Sequence, residues 1–583
     1  MKNNRINKPK LNEKYKSINL AVYCAAPTLD RLTDRKELAK KYSFFKKHLS
    51  LNKVYLETYR TGVTIPRKKM SWIIDFFRGK NIEVAGGITP TTEESFTDLP
   101  PRLLAASCYN HPQIRERIKK ISTYTASLFD EFILDDFFFT NCTCQTCIEE
   151  KGSRTWEEYR LQLMTEVSKK LIVKPAKKEN TEVKVIIKYP NWIESFQQTG
   201  YNTEIQPEIF DLIYTGTETR DSKFTHQHLP RYGSYSLIRW MENISHCQNG
   251  GGWFDRFDCQ NNLNHYLEQA YLTVFSKARE LMLFSFGSLL DTVFVPALGH
   301  ELKKLDKTAD ILGTPRGITA YEPHHAQGED HLYDYLGMNG LPFEPTPHFP
   351  KEDNTVLLTK NSTQDNKVME KLKNHLQSGN NAVITSGFLK KMQNKGIKEI
   401  TSAKYTDQKV NSDIFAVNTR GCSFENYYQG NQNILLPVLN FKNNDTWPLA
   451  VTINGNNSFP LLLKDYYGGG TLYTLTIPDN FSDFEKYPSQ VLTIIRKSLM
   501  ENQDVYLEGE GGIGLFLYDN NTLIIESFKP HKSSVKIHIK GNNVKLYSAS
   551  GEREINKFRS SNQETVFEVK LQPASYKTYR FEK

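Results

Sequence analysis

No run of about 18 apolar residues occurs anywhere in the 583-residue chain, so no membrane-spanning helix is expected. The first 20 residues are basic (Lys2, Arg5, Lys8, Lys10, Lys14, Lys16) but lack the apolar stretch of roughly 7–15 residues that a secretory leader needs. A cytoplasmic protein is expected, or a periplasmic one whose leader has been removed. Cysteine is scarce, 8 in all, too few in a chain this long for a disulfide framework. The basic excess, 75 Lys and Arg against 66 Asp and Glu, forms no stripe. Runs such as Arg35-Lys36 and Lys390-Lys391 alternate with apolar residues as solvated helix faces do, and no nucleic-acid partner is expected. Internal repeats and low-complexity linkers are also missing.

What is present is a chain too long for one hydrophobic core, since cores stop growing at roughly 250–300 residues. Aromatics make up 12 % of it (30 Tyr, 33 Phe, 6 Trp), which slightly favours a ligand that stacks, such as a sugar. The first 310 residues alternate short β-branched runs with amphipathic stretches, the pattern of repeated βα units. Eight strands are predicted: Ile18–Cys24, Val54–Glu57, Ile82–Ala85, Phe132–Asp135, Val183–Ile187, Leu212–Thr215, Gly252–Phe254 and Leu281–Phe284. Each intervening segment contains a stretch long enough for a helix, Trp156–Leu171 and Tyr266–Arg279 among them. Eight such units in about 300 residues is the size of a (β/α)8 barrel. An open doubly wound sheet would want a Gly-rich turn after its first strand, where Ala25-Ala26-Pro27-Thr28 stands instead.

The barrel is expected to occupy residues 1–315. Residues 316–503 read as a smaller α/β domain of flavodoxin or glutamine-amidotransferase type, closing with Gly470–Ile477 and the helix Ser489–Met500. Residues 504–583 read as alternating strands separated by Asp519-Asn520-Asn521 and Gly541-Asn542-Asn543, the pattern of an antiparallel β-sandwich.

In a (β/α)8 barrel the chemistry sits where strands end. Strand four ends in Leu134-Asp135-Asp136-Phe137, strand six runs into Thr217-Glu218-Thr219-Arg220-Asp221, and strand seven ends in Trp253-Phe254-Asp255. Acidic groups at three rim positions suit glycoside cleavage, in which one carboxyl protonates the leaving oxygen and another attacks the anomeric carbon or activates water. The plainer reading is that Asp135 caps a helix or pairs with an arginine, and that Asp255 opens a turn. Rim aromatics (Tyr59, Tyr189, Trp192, Tyr214, Trp253) are candidates for a sugar platform, and Arg60, Asn191, Arg220, His226 and His228 for hydroxyl partners.

The segment after strand four reads Cys142-Thr143-Cys144-Gln145-Thr146-Cys147, and Cys108 lies in the preceding loop. Three thiolates at this spacing can wrap one tetrahedral zinc, with Cys108 as fourth ligand. A closed four-sulfur site leaves no open position, so such a metal is structural.

This cysteine arrangement, set just beyond a strand-four carboxylate, resembles the zinc site of glycoside hydrolase family 42, the β-galactosidases. The domain order resembles that family too. The resemblance implies a glycosidase acting on an oligo- or polysaccharide, an amidotransferase-like trimerisation domain and a homotrimer. It also implies that Asp136 stands at the general acid/base position, where the family has Glu, and that the nucleophile lies at the end of strand seven. Asp255 is preferred there over Glu242, because Ser234–Ser245 reads as helix. A variant makes Asp135 or Asp136 the nucleophile and Glu218 or Asp221 the acid, as in α-galactosidase barrels. The alternative from another class is a catalytically silent carbohydrate-binding or scaffold protein on the same fold.

Overall fold

Near-continuous apolar runs, which parallel strands need because both their faces are buried, place eight strands in the first half of the chain. They are β1 (Leu20–Cys24), β2 (Lys53–Arg60), β3 (Glu83–Thr89), β4 (Glu131–Leu134), β5 (Lys184–Tyr189), β6 (Leu212–Gly216), β7 (Asn249–Asp255) and β8 (Leu281–Phe284). Each pairs in parallel with the next, and β8 pairs with β1, so the sheet closes on itself. The expected (β/α)8 barrel is therefore found, in a computed structural model that describes residues 14–92, 105–222, 224–245, 248–351, 355–418, 424, 426–549 and 553–583.

Alternation along each strand sends Ala21, Tyr23, Tyr55, Ala85, Ile133, Ile186, Tyr214, Trp253 and Met282 into one buried cluster inside the barrel. Two glycines make room for the rings. A methyl group on Gly87 would collide with the Tyr23 phenol, and one on Gly251 with the Tyr214 phenol. At the amino end of the strands, the Tyr55 and Tyr214 hydroxyls both donate to Glu280 and Lys53 pairs with Glu131.

The helix expected between β5 and β6 is instead two single turns, Phe196–Thr199 and Gln206–Ile209. The reason is local: Gly200 sits in the left-handed region at φ 93° and stops the first turn, and Pro207 restarts the chain at the second.

The chain divides into two compact units. One comprises residues 1–226, 247–274 and 278–310; the other comprises residues 227–246, 275–277 and 311–583. The helix Gly233–Ile244, which follows β6 in sequence, thus belongs to the second unit, where Arg239 grips Glu344 with Nε 3.1 and 3.0 Å from its two oxygens.

The second unit contains a mixed sheet of β9 (Ile318–Tyr321), β10 (Phe343–Thr346), β11 (Val356–Leu358), β12 (Ala382–Thr385), β13 (Lys404–Val417), β14 (Tyr427–Asn440), β15 (Trp447–Asn454), β16 (Asn457–Tyr467) and β17 (Gly470–Leu475). Its parallel half runs β10-β9-β11-β12-β17, the doubly wound order expected for a flavodoxin-like domain. An antiparallel half, β16-β15-β13-β14, extends it. Beyond residue 504, antiparallel strands contribute four each to two sheets, of five and four strands, as a β-sandwich requires. The five-stranded sheet includes Pro315–Arg316, paired with Tyr518 and Leu517, so the boundary drawn at 315/316 falls inside a strand.

No described helix is long and apolar enough to cross a membrane.

Candidate active site

The carboxyl ends of β2, β4, β5, β6 and β7 bring five carboxylates and three cations together. Asp135 follows Ile133 in the inward phase of β4 and is buried. It accepts from the Arg60 guanidinium at 2.6 Å and from Thr89 Oγ1 at 3.1 Å. The arginine pair named above as the plainer reading of Asp135 is thus present. Burial opposes ionisation of Asp135, but Arg60 and then Lys188 outweigh it and hold its carboxyl below the usual range.

Asp136 lies one residue past the strand, its side chain 22 % exposed. Both aspartates reach the mouth of the barrel. β4 ends at Leu134, strand alternation ends with it, and both carboxyls face Lys188. Burial raises Asp136 to about 7, with Asp135 and Glu218 adding to the rise and Lys188 opposing it.

Lys188, in phase with Ile186 on β5, is the hub. Its Nζ stands 2.7 Å from Asp136 Oδ2, 2.7 Å from Glu218 Oε1 and 3.8 Å from Asp135 Oδ1, and lies 4.4 Å from the centre of the Trp253 ring. Glu218 is buried, and among the described residues its second oxygen, Oε2, has no hydrogen-bond partner. Its backbone carbonyl accepts from Asn191 Nδ2 at 2.6 Å.

Asp255 ends β7 and is held on both oxygens by the fork of Arg220, at 3.0 and 2.8 Å. Burial raises its carboxyl although Arg220 opposes the rise. Arg220 itself is a non-glycine residue in the left-handed region, at φ 55°. Asp221 faces His265 at 3.1 Å.

Glu57, on β2, completes the floor. It accepts from the Tyr23 hydroxyl at 2.7 Å, the Ala26 amide at 2.6 Å, Arg60 Nε at 3.0 Å and the Thr89 hydroxyl.

Several residues proposed as sugar contacts are not placed for that work. Tyr189 follows Lys188 and so points outward, buried against Phe196 and Tyr201. Trp253 points inward but is 1 % exposed and packs on Tyr23. Tyr59 donates to the Thr91 carbonyl, Tyr214 belongs to the amino end of the barrel, and His226 and His228 are exposed. Trp192 is half-buried beside Phe139, and the guanidiniums of Arg60 and Arg220 are partly open to solvent. Glu242 lies on a helix, as its sequence context required.

Sequence reasoning passed over Glu57 and Lys188. The signal existed: each is a charged residue in the inward phase at the end of an apolar strand, the same pattern that marked Asp135.

Beside the site, Cys108, Cys142, Cys144 and Cys147 place all four sulfurs within 4.8 Å of one another. Cys108 Sγ lies 3.6 Å from that of Cys147 and 3.9 Å from that of Cys144. Four sulfurs about 2.3 Å from one tetrahedral ion stand about 3.8 Å apart, close to these separations, so this donor set suits a metal. Asn110 Nδ2 donates to Cys147 Sγ at 3.3 Å, the kind of outer bond that orients a ligand.

Residues 7–301 match the family described as "Probable glycosyl hydrolase, catalytic domain". Residues 313–480 match "Uncharacterized protein SSO3021, second domain", and residues 504–581 match "Probable glycosyl hydrolase, C-terminal domain". The uncharacterized protein SSO3021 of Saccharolobus solfataricus is 28 % identical over 530 residues, covering 82 % of this chain and 86 % of that one. Among solved structures, the β-galactosidase of Bacillus circulans sp. alkalophilus superposes with a TM-score of 0.64 at 12 % identity, over 97 % of this chain and 99 % of its own. The α-L-fucosidase isoenzyme 2 of Paenibacillus thiaminolyticus superposes with a TM-score of 0.66 at 11 % identity, over 98 % and 100 %. These likenesses are of fold, and they bear out the architecture that the resemblance to family 42 implied. With a matching catalytic domain over half its length, the chain belongs to the family of probable glycosyl hydrolases.

Proposed function

We propose that the protein hydrolyses glycosidic bonds of an oligo- or polysaccharide with retention, Asp136 acting as general acid/base and Glu218 as nucleophile. The observation that carries the pairing is that Lys188 Nζ donates one hydrogen bond to an oxygen of each carboxyl, both at 2.7 Å. Those two oxygens can be no farther apart than twice that distance. Such spacing suits retention, for which carboxyls stand about 5–5.5 Å apart, better than the roughly 6.5–9.5 Å of inversion.

The two groups differ as the roles require. Asp136, raised to about 7, keeps a proton to deliver on the acid side of neutrality. Glu218 has one oxygen anchored and the other without a partner among the described residues, which leaves a lone pair for attack at carbon. Asp255, the nucleophile expected from sequence, has both oxygens in the Arg220 fork and is assigned here to holding that arginine.

A panel of nitrophenyl glycosides, run beside direct binding measurements, tests the activity. Turnover of at least one substrate is expected, and binding without turnover of any would favour the silent sugar-binding protein instead. With an accepted sugar, the corresponding activated 2-deoxy-2-fluoro glycoside should trap a covalent ester on Glu218, located by peptide mass spectrometry. An ester on Asp255 or Asp135 would overturn the nucleophile and leave the hydrolase reading intact. Asp136→Asn should cut turnover of unactivated glycosides by about 10²-fold or more, and far less with acidic phenol leaving groups that need little protonation.

The metal is proposed to be zinc, held by Cys108, Cys142, Cys144 and Cys147 in a closed structural site. Bound there it would cross-link the loops after β3 and β4. A homotrimer belongs to the same reading, and light scattering showing a stable monomer would remove it.

A further inference from the structure

Lys188 is the least exposed and most shared cation of the site, with a side chain 1 % exposed. We propose that it is a positioning residue, whose ammonium pins Asp136 and Glu218 to a common point, thereby fixing their separation and sharing one positive charge between them. The proposal rests on the hydrolase reading for its consequence in turnover, but its electrostatic half does not.

The charges around it explain why one lysine can decide this. Arg60 is shared by Glu57 and Asp135, and Arg220 is committed to Asp255. Among the described residues, Lys188 is the cation bonded to both Asp136 and Glu218, while Arg220 acts on them through space. One cation between a buried and a half-buried carboxylate leaves an uncompensated charge, and a proton on one of them removes it. Burial and the two neighbouring carboxylates favour the proton on Asp136, and Lys188 opposes them. The face of Trp253 closes the other side of the ammonium and excludes water from it.

An interior lysine near the end of a barrel strand also invites comparison with imine-forming lysines, which need a neutral amine. Burial alone would favour that form here. Asp136, Glu218 and Asp135 reverse it and hold Lys188 above the usual lysine range, so it remains an ammonium and is no nucleophile.

The test uses full-length Lys188→Met and Lys188→Arg and two readouts. The first needs no substrate: infrared difference titration of the buried carboxyls, with the Asp136 band identified by its loss in Asp136→Asn. In Lys188→Met that band should titrate at least about one pH unit higher than in the parent, because the neighbouring cation is gone. In Lys188→Arg it should titrate near the parent. The second is the pH profile of kcat/KM on an accepted glycoside. Its alkaline limb should move upward in Lys188→Met, and kcat should fall about 10-fold or more in Lys188→Arg through misplaced carboxyls, with KM little changed. A parent-like titration in folded Lys188→Met overturns the electrostatic role, and a parent-like kcat in Lys188→Arg overturns the positioning role. Should Lys188→Met not fold, the Lys188→Arg arms still decide: a shifted band or a parent-like kcat counts against the proposal. If the bands shift as expected while the parent turns over no glycoside, the hydrolase reading fails and the electrostatic role of Lys188 stands.

Discussion

A carboxyl that keeps its proton to about pH 7 weakens the fold once the solution becomes less acidic, and Asp136 is such a group. In an unfolded chain an aspartate titrates near about 3.9. The folded form therefore binds the Asp136 proton more tightly, and the stability this contributes is full below about pH 4 and lost as pH rises through about 7. Asp136→Asn cannot ionise, so its melting temperature should gain on the parent's between pH 4 and 7 and keep a constant lead above that. A difference that stays flat across this range would refute the buried, protonated state of Asp136. Asp135 behaves in the opposite sense, since a lowered carboxyl contributes stability above its unfolded value and loses it as pH falls. At this scale the sequence disclosed residues, not partnerships. Asp135, Asp136, Glu218 and Asp255 were visible as charges at strand ends. Their bonds to Arg60, Lys188 and Arg220 join residues at least 30 positions apart, and no spacing in the chain encodes them.

Strands and loops carry these residues to one place, and two predictions belong to them. Gly87 on β3 faces the Tyr23 ring so closely that a Cβ would lie 2.5 Å from its hydroxyl. Gly87→Ala should therefore push Tyr23 off Glu57 and lower stability by about 1–3 kcal/mol in urea denaturation, the usual cost of overfilling a core. The loop after β4 is fixed from several directions. The Tyr201 hydroxyl donates to the Asp136 carbonyl at 2.5 Å, Thr140 Oγ1 donates to the Ser107 carbonyl at 3.0 Å, and the four cysteines join this loop to the one after β3. Protein prepared without added metal should carry about one zinc per chain by elemental analysis. Cys144→Ser with Cys147→Ser should remove it and lower both melting temperature and turnover, since the loop bearing Asp136 loses its cross-link. Absence of metal from the parent, with all four thiols freely titratable, would sink the site. The eight barrel strands were legible because parallel strands are apolar throughout. The extension β13 to β16 was not, because strands such as Lys404–Val417 are half-exposed and polar at many positions, which weakens the apolar pattern.

At the scale of the molecule, the α/β part and the β-sandwich behave as one body, although sequence reads them as two. They fall in a single compact unit, and one cluster of buried side chains runs from Ile318 through Leu499 to Phe581. The sandwich takes an edge strand, Pro315–Arg316, from the segment that precedes the α/β part. Arg496, on the helix Ser489–Leu499, is wholly buried and has no carboxylate partner among the described residues. Its Nε donates to the Asn339 carbonyl at 2.7 Å, and its two terminal nitrogens donate to the Gly509 and Glu510 carbonyls at 2.8 Å each. Burial pulls the guanidinium down to about 9, yet it remains charged at neutral pH. A cation kept in such a place is there for its geometry, because three carbonyls from two sequence segments converge on one rigid fork. Residues 311–583 should therefore unfold in a single calorimetric transition. Arg496→Met fills much of the same volume but takes the guanidinium donors from the buried Asn339 carbonyl and the half-buried Gly509 and Glu510 carbonyls, and a carbonyl left unsatisfied in the interior costs about 1–3 kcal/mol. It should lower that transition by several degrees, or split it into separate α/β and sandwich melts. An unchanged single transition in Arg496→Met would show that the apolar cluster alone joins the two parts and that the guanidinium adds nothing to their union.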